Sequence, residues 1–446
     1  MNALDPRPLV PMLRELAGRL LVAELPPVAR VRQLVEAPRL ERIDAAVRAE
    51  VTRVVNALGR PAGPVAVGVG SRGIANLEQI VRATVDALKA AGWQPFVVPA
   101  MGSHGAATAE GQAAVLAAYG ITEDRVGAPV RATMETVVMG EALPGVPWHA
   151  DALAAEAGAV FLVARVKPHT SFRGPVESGP AKMCAIGLGK QAGAQVMHSA
   201  GAAGLAQRIP AAARLAERRG LLLGALAVVE NQRDQTAFVR GLTAAAVGGG
   251  AEADLLATAR ELMPRIPFRE IDVLVVDRMG KDVSGTGMDT NVINRFRIVG
   301  QEESGTPRIQ AIAVMSLTEQ THGNAMGIGN ADYVPARLLA GVDLEALYTN
   351  ALTAGQIAIQ RPHLPMVLAD GRDAIRAAVT AVGRPPQETR LAWIHDTLHT
   401  EVMAVSPALL GDARELGLDI LIEPRPLPFD GDGELRPLRG DRSGSW

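Results

Sequence analysis

Apolar positions along the chain follow two alternating rhythms. Short aliphatic runs end in glycine-rich turns, and each turn leads into a stretch whose apolar residues recur three or four apart. Residues 64–69 predict a strand ending in Gly68, Gly70 and Gly73, followed by a helix over 76–91. Residues 94–99 predict the next strand, which ends in Met101-Gly102-Ser103-His104-Gly105. Thr108 then serves as N-cap of a helix through Tyr119. A strand over 159–166 leads into a long loop, 167–189, and a helix at 202–219 with a strand at 221–229 complete the series. Upstream, residues 8–58 predict two helices broken at Pro26 and Pro27, the second with apolar spacing at Leu40, Ile43, Val47, Val51 and Val55.

After a helix over 251–262, a second series starts at 271–276. It continues with strands near 308–315, 391–394 and 418–422 and helices near 333–340, 344–352, 370–382 and 407–416. Strands alternating with helices at this spacing predict an α/β fold whose sheets are mostly parallel and covered on both faces. Pro264 and Pro267 flank a polar linker between the two series. Residues 1–265 are therefore expected to form an N-terminal α/β domain and residues 268–424 a C-terminal one. Residues 425–446, rich in Pro, Gly, Asp and Arg, predict a disordered tail.

Composition narrows the classes. A chain of 446 residues is long for one core, which agrees with two domains. A net charge of -2 gives no electrostatic case for nucleic acid, whose binding rests on Lys and Arg contacts to phosphate. The longest apolar runs are too short to span a bilayer, and the start of the chain does not read as a signal peptide, so no membrane partner is expected. Cys184 is the one cysteine, which excludes a disulfide framework, a four-cysteine iron–sulfur cluster and a cysteine-based zinc site. A reducing cytoplasm fits that usage, and homo-oligomerisation stays open.

Ligands of open parallel sheets sit beyond the carboxyl ends of strands. Three chemically equipped segments fall there: Gly70-Ser71-Arg72, Gly102-Ser103-His104 and Lys167-Pro168-His169. Two imidazoles across a substrate suit chemistry that needs a base on either face, because each titrates near neutral pH. Lys182 follows Gly179-Pro180-Ala181; a solvated cation is the commonest fate of a lysine, while one in a glycine-rich loop beside a pocket can contact phosphate or bond covalently to a cofactor. His198 stands without a Cys, Asp or Glu ligand set nearby, so by itself it does not make a metal site. Gly68-x-Gly70-x-x-Gly73 matches a dinucleotide fingerprint in form, but Arg72 lies inside it and no acidic residue ends a following strand. The Thr321-His322-Gly323-Asn324 and Gly329-Asn330-Ala331-Asp332-Tyr333 segments fit a pocket lining and ordinary loop chemistry alike.

The order Arg72, Gly102-Ser103-His104, Pro168-His169, Gly179-x-x-Lys182 and then His198 resembles the nickel-dependent lactate racemase family. The resemblance covers about residues 60–205 and extends more loosely into the second domain. It implies two α/β domains with the active site in the cleft between them, and an isomerase that uses a nickel-pincer nucleotide. That cofactor is a pyridinium-3-thioamide-5-thiocarboxylic acid mononucleotide holding nickel, and cofactor-biosynthesis proteins would supply it. Carried over by position, Lys182 looks like the residue attached covalently to the cofactor, with Gly179 and Arg72 beside it. His198 looks like the protein ligand to the metal, and His104 and His169 look like the acid–base pair. Arg72, Asn294 and Arg297 look like contacts to a small-molecule 2-hydroxy acid.

Where the family has Asp-x-Thr-Arg this chain has Val69-Gly70-Ser71-Arg72, and Gly-Gly-Arg-Lys becomes Gly179-Pro180-Ala181-Lys182. These differences imply a 2-hydroxy acid other than lactate, with racemisation and epimerisation both open. The residues alone also accommodate a proton-abstracting epimerase or lyase without this cofactor, or a non-catalytic nucleotide-binding homologue.

Overall fold

The computed structural model describes residues 5–438, apart from Ala23, Arg60, Ser71, Arg72, Gly300, Gln301 and Ser304. In chain order the first strands are β1 Val28–Arg32, β2 Pro64–Val69, β3 Gln94–Pro99, β4 Thr136–Leu143, β5 Val146–Asp151, β6 Val160–Arg165, β7 Leu222–Glu230 and β8 Thr236–Thr243. The remainder are β9 Glu270–Val276, β10 Arg308–Val314, β11 Tyr333–Pro335, β12 Met366–Leu368, β13 Leu391–Ile394, β14 Val402–Val405 and β15 Asp419–Arg425. The molecule is mixed α/β, and its chain divides into two compact units, residues 37–263 and residues 1–36 with 264–446.

The 37–263 unit is built on a five-stranded sheet in the order β3-β2-β6-β7-β8, with β4 and β5 paired separately as an antiparallel hairpin. β3, β2, β6 and β7 run parallel and β8 closes one edge antiparallel. Alternate side chains feed two cores, one containing Ala66, Val98 and Leu162 and the other Val65, Val67, Phe161 and Val163. A strand with both faces covered reads as a continuous aliphatic run, which is why this sheet was legible. The helix Leu77–Ala90 packs Leu77, Ile80, Val81, Val85 and Leu88 inward, and Thr108 caps Ala109–Ala118 by accepting from the Gly111 N–H.

The other unit carries an eight-stranded sheet in the order β12-β11-β10-β9-β13-β14-β1-β15. Only the β12-to-β13 half is parallel; β14, β1 and β15 join antiparallel. Two expectations therefore change. Residues 1–36 do not belong with 37–263: β1 lies between β14 and β15, and only the Val10–Leu20 and Ile43–Asn56 helices match the two expected. Arg30, buried at 1% exposure in the middle of Val28–Arg32, hides this strand by interrupting its apolar run. Nor is 425–438 disordered, because Leu427, Leu435 and Leu438 are buried in the same core as Trp393 and Val275. Residues 439–446 lie outside the described residues.

Among the described residues, no helix is long and apolar enough to cross a membrane. Because β1 completes two ladders, the fragment 264–446 should lack a cooperative thermal transition, whereas 37–263 should show one. Circular dichroism melts of the two fragments check this, and a cooperative melt of 264–446 alone would contradict the assignment of β1.

Candidate active site

In the 37–263 sheet the chain passes from β2 to β3 on one side and later returns to β2 through β6 on the other. Strand order reverses between β2 and β6, and the crevice beyond the carboxyl ends of such strands is where open α/β sheets take ligands. β3 delivers His104, β6 delivers His169, and β2 runs into Gly70. Ser71 and Arg72 lie outside the described residues, so Arg72 is not placed. Gly179, Lys182 and His198 belong to the same unit.

His104 is held through its backbone. Gly102 sits at φ 61, a left-handed turn that glycine adopts without a side-chain clash, and its N–H donates to the Gly187 carbonyl at 3.1 Å. Gln112, fully buried, donates from Nε2 to the carbonyls of Gly102 at 2.8 Å and His104 at 3.2 Å. Its Oε1 accepts from Lys190 Nζ at 3.2 Å. The Lys190 ammonium also donates to the Pro99 carbonyl that ends β3 and lies 2.9 Å from Asp151 Oδ2. Both charged side chains are completely buried. The two form an ion pair shut away from solvent. Burial pushes the Lys190 pKa below its ordinary value while Asp151 opposes that shift.

His169 rides on a loop closed by paired hydrogen bonds between Lys167 and Ser178, at 3.1 and 3.2 Å. Glu177, its side chain wholly buried, gathers this loop. It accepts from the His169 N–H at 2.6 Å and from Arg260 at 2.6 Å, with Arg173 at 3.5 Å. Phe172 packs against the imidazole with ring centroids 4.6 Å apart. His169 Nδ1 accepts from the Ser171 N–H at 3.0 Å, so in the neutral ring the proton resides on Nε2. His169 thus presents a donor, and carrying a proton on Nδ1 would cost the Ser171 bond.

Lys182 ends a turn, Pro180–Lys182, that continues through a π-helical turn, Met183–Gly187, into the helix Lys190–His198. Gly179 is extended, so its requirement is space: a Cβ there would clash with Glu252 Oε1. His198 Nδ1 lies 2.7 Å from the Ala194 carbonyl. A carbonyl only accepts, so Nδ1 carries the proton and Nε2 keeps its lone pair. The ring retains exposed surface, yet the protein around it desolvates the imidazolium and holds the pKa below its ordinary value. The Ala194 carbonyl opposes that shift and the Lys182 ammonium adds to it, which makes Lys182 and His198 electrostatic neighbours. A neutral imidazole with Nε2 unprotonated fits a nickel ligand. Among the described residues no three His, Cys, Asp or Glu side chains gather to hold a metal, so an ion there would depend on donors from a cofactor.

Asn294 and Arg297 lie in the other unit, just beyond the short helix Thr290–Ile293. Arg297 already holds a carboxylate: its Nη2 is 3.2 Å from Asp332 Oδ1, and Arg295 takes the second oxygen at 2.6 Å. Sequence reasoning missed Gln112, Lys190 and Glu252 inside helices, Glu177 in a loop and Asp151 at the end of β5, none of them in a motif. It also missed a carboxylate–imidazole cluster past β9 and β13, where strand order reverses in the second sheet. There Asp277 meets His395 Nδ1 at 3.1 Å, and Asp396 meets His399 Nδ1 at 2.8 Å. The His395-Asp396-x-x-His399 spacing directly after a strand was the available signal.

No protein-family model matches the chain, and no curated protein matches it. Among solved structures, a structural-genomics protein from Thermotoga maritima is similar at 12% identity and a TM-score of 0.45, covering 63% of this chain and 72% of that one. The lactate racemase apoprotein from Thermoanaerobacterium thermosaccharolyticum is similar at 10% identity and a TM-score of 0.44, covering 77% of this chain and 98% of that one. At these values neither likeness bears on the chemistry.

Replacing Lys190 by Met leaves Asp151 buried without its cation. The expected loss of stability is about 3–5 kcal/mol, the usual cost of stranding one partner of a buried pair. Urea denaturation of Lys190→Met checks this, and a loss below about 1 kcal/mol would show the pair to be dispensable.

Proposed function

We propose that the chain is an isomerase, a racemase or epimerase of a 2-hydroxy acid, that works with a nickel-pincer nucleotide attached at Lys182 and ligated by His198. The observation that carries this reading is the state of His198. Its Nδ1 is committed to the Ala194 carbonyl, its Nε2 keeps a lone pair, and Lys182 is its charged neighbour. When bound, the cofactor supplies a two-electron acceptor and donor for C2 of the substrate.

The remaining work falls to side chains of this chain. Inverting C2 requires the hydroxyl proton to be taken up on one face of a planar 2-oxo acid and restored from the other. His104 and His169, delivered from strands on either side of β2, are the two candidates. In its present tautomer His169 donates from Nε2 to a substrate oxygen. Taking up a proton at Nε2 requires its own proton on Nδ1 and release of the Ser171 N–H. Glu177 fixes the backbone of this loop, so the ring can change partners without moving its anchor.

Incubating cofactor-loaded protein with a panel of 2-hydroxy acids in deuterated water tests the reading. The expected product is inverted at C2 without deuterium there, and His104→Ala or His169→Ala should lower kcat by about 10²–10⁴-fold. Full deuteration at C2 would replace the reading with direct proton abstraction. Turnover that survives both substitutions would remove the histidines from it.

A further inference from the structure

Glu252 stands in the first turn of the helix Gly250–Glu261 and is buried at 1% exposure. Its Oε2 accepts from the Gly248 N–H at 2.8 Å, reaching back over the start of its own helix as an acidic residue of a first turn commonly does. Its Oε1 does something that helix does not need. It crosses to the turn carrying Lys182 and accepts from the Ala181 N–H at 3.1 Å. That N–H is one of those left without an intrahelical partner at the start of the Pro180–Lys182 turn. The close approach is built in on both sides, since Gly179 leaves the space that a Cβ would take from Oε1.

We infer that Glu252 is a positioning residue for Lys182: one buried carboxylate clamps the Lys182 turn to the Gly250–Glu261 helix, and its ionisation sets how tightly that turn is held. The role in catalysis rests on the proposed function; the clamp itself does not. As a carboxylate, Glu252 offers an unprotonated oxygen to each N–H, and both bonds are charge-assisted. A proton added to either oxygen weakens one of the two. Burial places that change in a useful range, pushing the Glu252 pKa up to about 7 against the pull of the Gly248 and Ala181 N–H groups. Cys184, on the adjacent Met183–Gly187 turn, is coupled to Glu252 and is held as a neutral thiol by burial first and by that carboxylate second. Lys182 is the cation of the clamped turn, and Arg260, further along the Glu252 helix, is committed to Glu177.

Keeping an acid here has a cost in stability. A carboxyl whose folded pKa lies above its unfolded value stabilises the fold below the unfolded pKa, and that contribution is lost as pH rises through the folded value. Between about pH 4.5 and 7 the wild type should therefore lose stability relative to Glu252→Gln, which fills the same volume without titrating.

The test is amide hydrogen exchange of the full-length protein at a series of pH values, corrected for intrinsic exchange rates, together with labelling of Lys182 by an amine reagent read by peptide mass. The expected result is a step near pH 7 in protection of the Ala181 and Gly248 amides, with Lys182 labelling changing at the same midpoint. Glu252→Gln should abolish both steps, and Glu252→Asp, too short to span the gap, should abolish the Ala181 step. Absence of the step in the wild type overturns the inference whether or not the variants fold, as does the same step in Glu252→Gln. Neither readout depends on an adduct at Lys182 or on turnover, so failure of the proposed function would leave this result standing.

Discussion

A single buried ammonium joins segments of the 37–263 unit that hold the candidate site residues. Lys190 contacts Asp151, the Pro99 carbonyl that ends β3, and Gln112, whose amide holds the carbonyls of Gly102 and His104. The same residue opens the helix that ends in His198. A solvated lysine costs nothing to keep, whereas a desolvated one is tolerated only when its donors are committed. Once these partners form, the turn after β3 and the 182–198 segment are fixed to each other, and displacing either strands a buried charge.

Comparable arrangements recur in the neighbouring segments. Glu177 gathers the His169 loop and Glu252 the Lys182 turn, each by accepting backbone N–H groups with a carboxylate. Three charged side chains thus organise three short segments, and the imidazoles lie on backbone that is itself hydrogen-bonded. A preorganised site is built in this way, with buried groups fixing the backbone of the segments that carry its side chains. Ring partners then set proton positions. Ala194 leaves the lone pair of His198 on Nε2, and Ser171 leaves a proton on Nε2 of His169, so two chemically identical side chains present opposite hydrogen-bonding character at that atom.

Much of this was legible in the sequence, for a definable reason. A strand covered on both faces reads as an uninterrupted aliphatic run, and ends where a glycine turn allows the chain to leave the sheet. Val65 to Val69 and Phe96 to Val98 announce themselves in that way, and with them the placement of His104 and His169 beyond strand ends. β1 did not, because Arg30 and Arg32 break its run and because its partners lie nearly four hundred residues away near Val405 and Arg425. The tail before Leu438 read as disordered because its anchoring leucines are separated by Pro, Gly and Asp. Lys190 and Glu252 were invisible for another reason. A buried ion and a solvated one share a letter, and only the tertiary partner distinguishes them.

The central claim is that Lys182 and His198 act together, one as anchor and one as metal ligand, with the acid–base histidines gathered at the same sheet edge. The most direct check is intact and peptide mass together with nickel content, on protein made in a host that builds the nickel-pincer nucleotide. The account predicts an adduct confined to the Lys182 peptide and nickel in stoichiometric amount, with His198→Ala losing the nickel while retaining the adduct. Protein from that host with neither adduct nor nickel would contradict it.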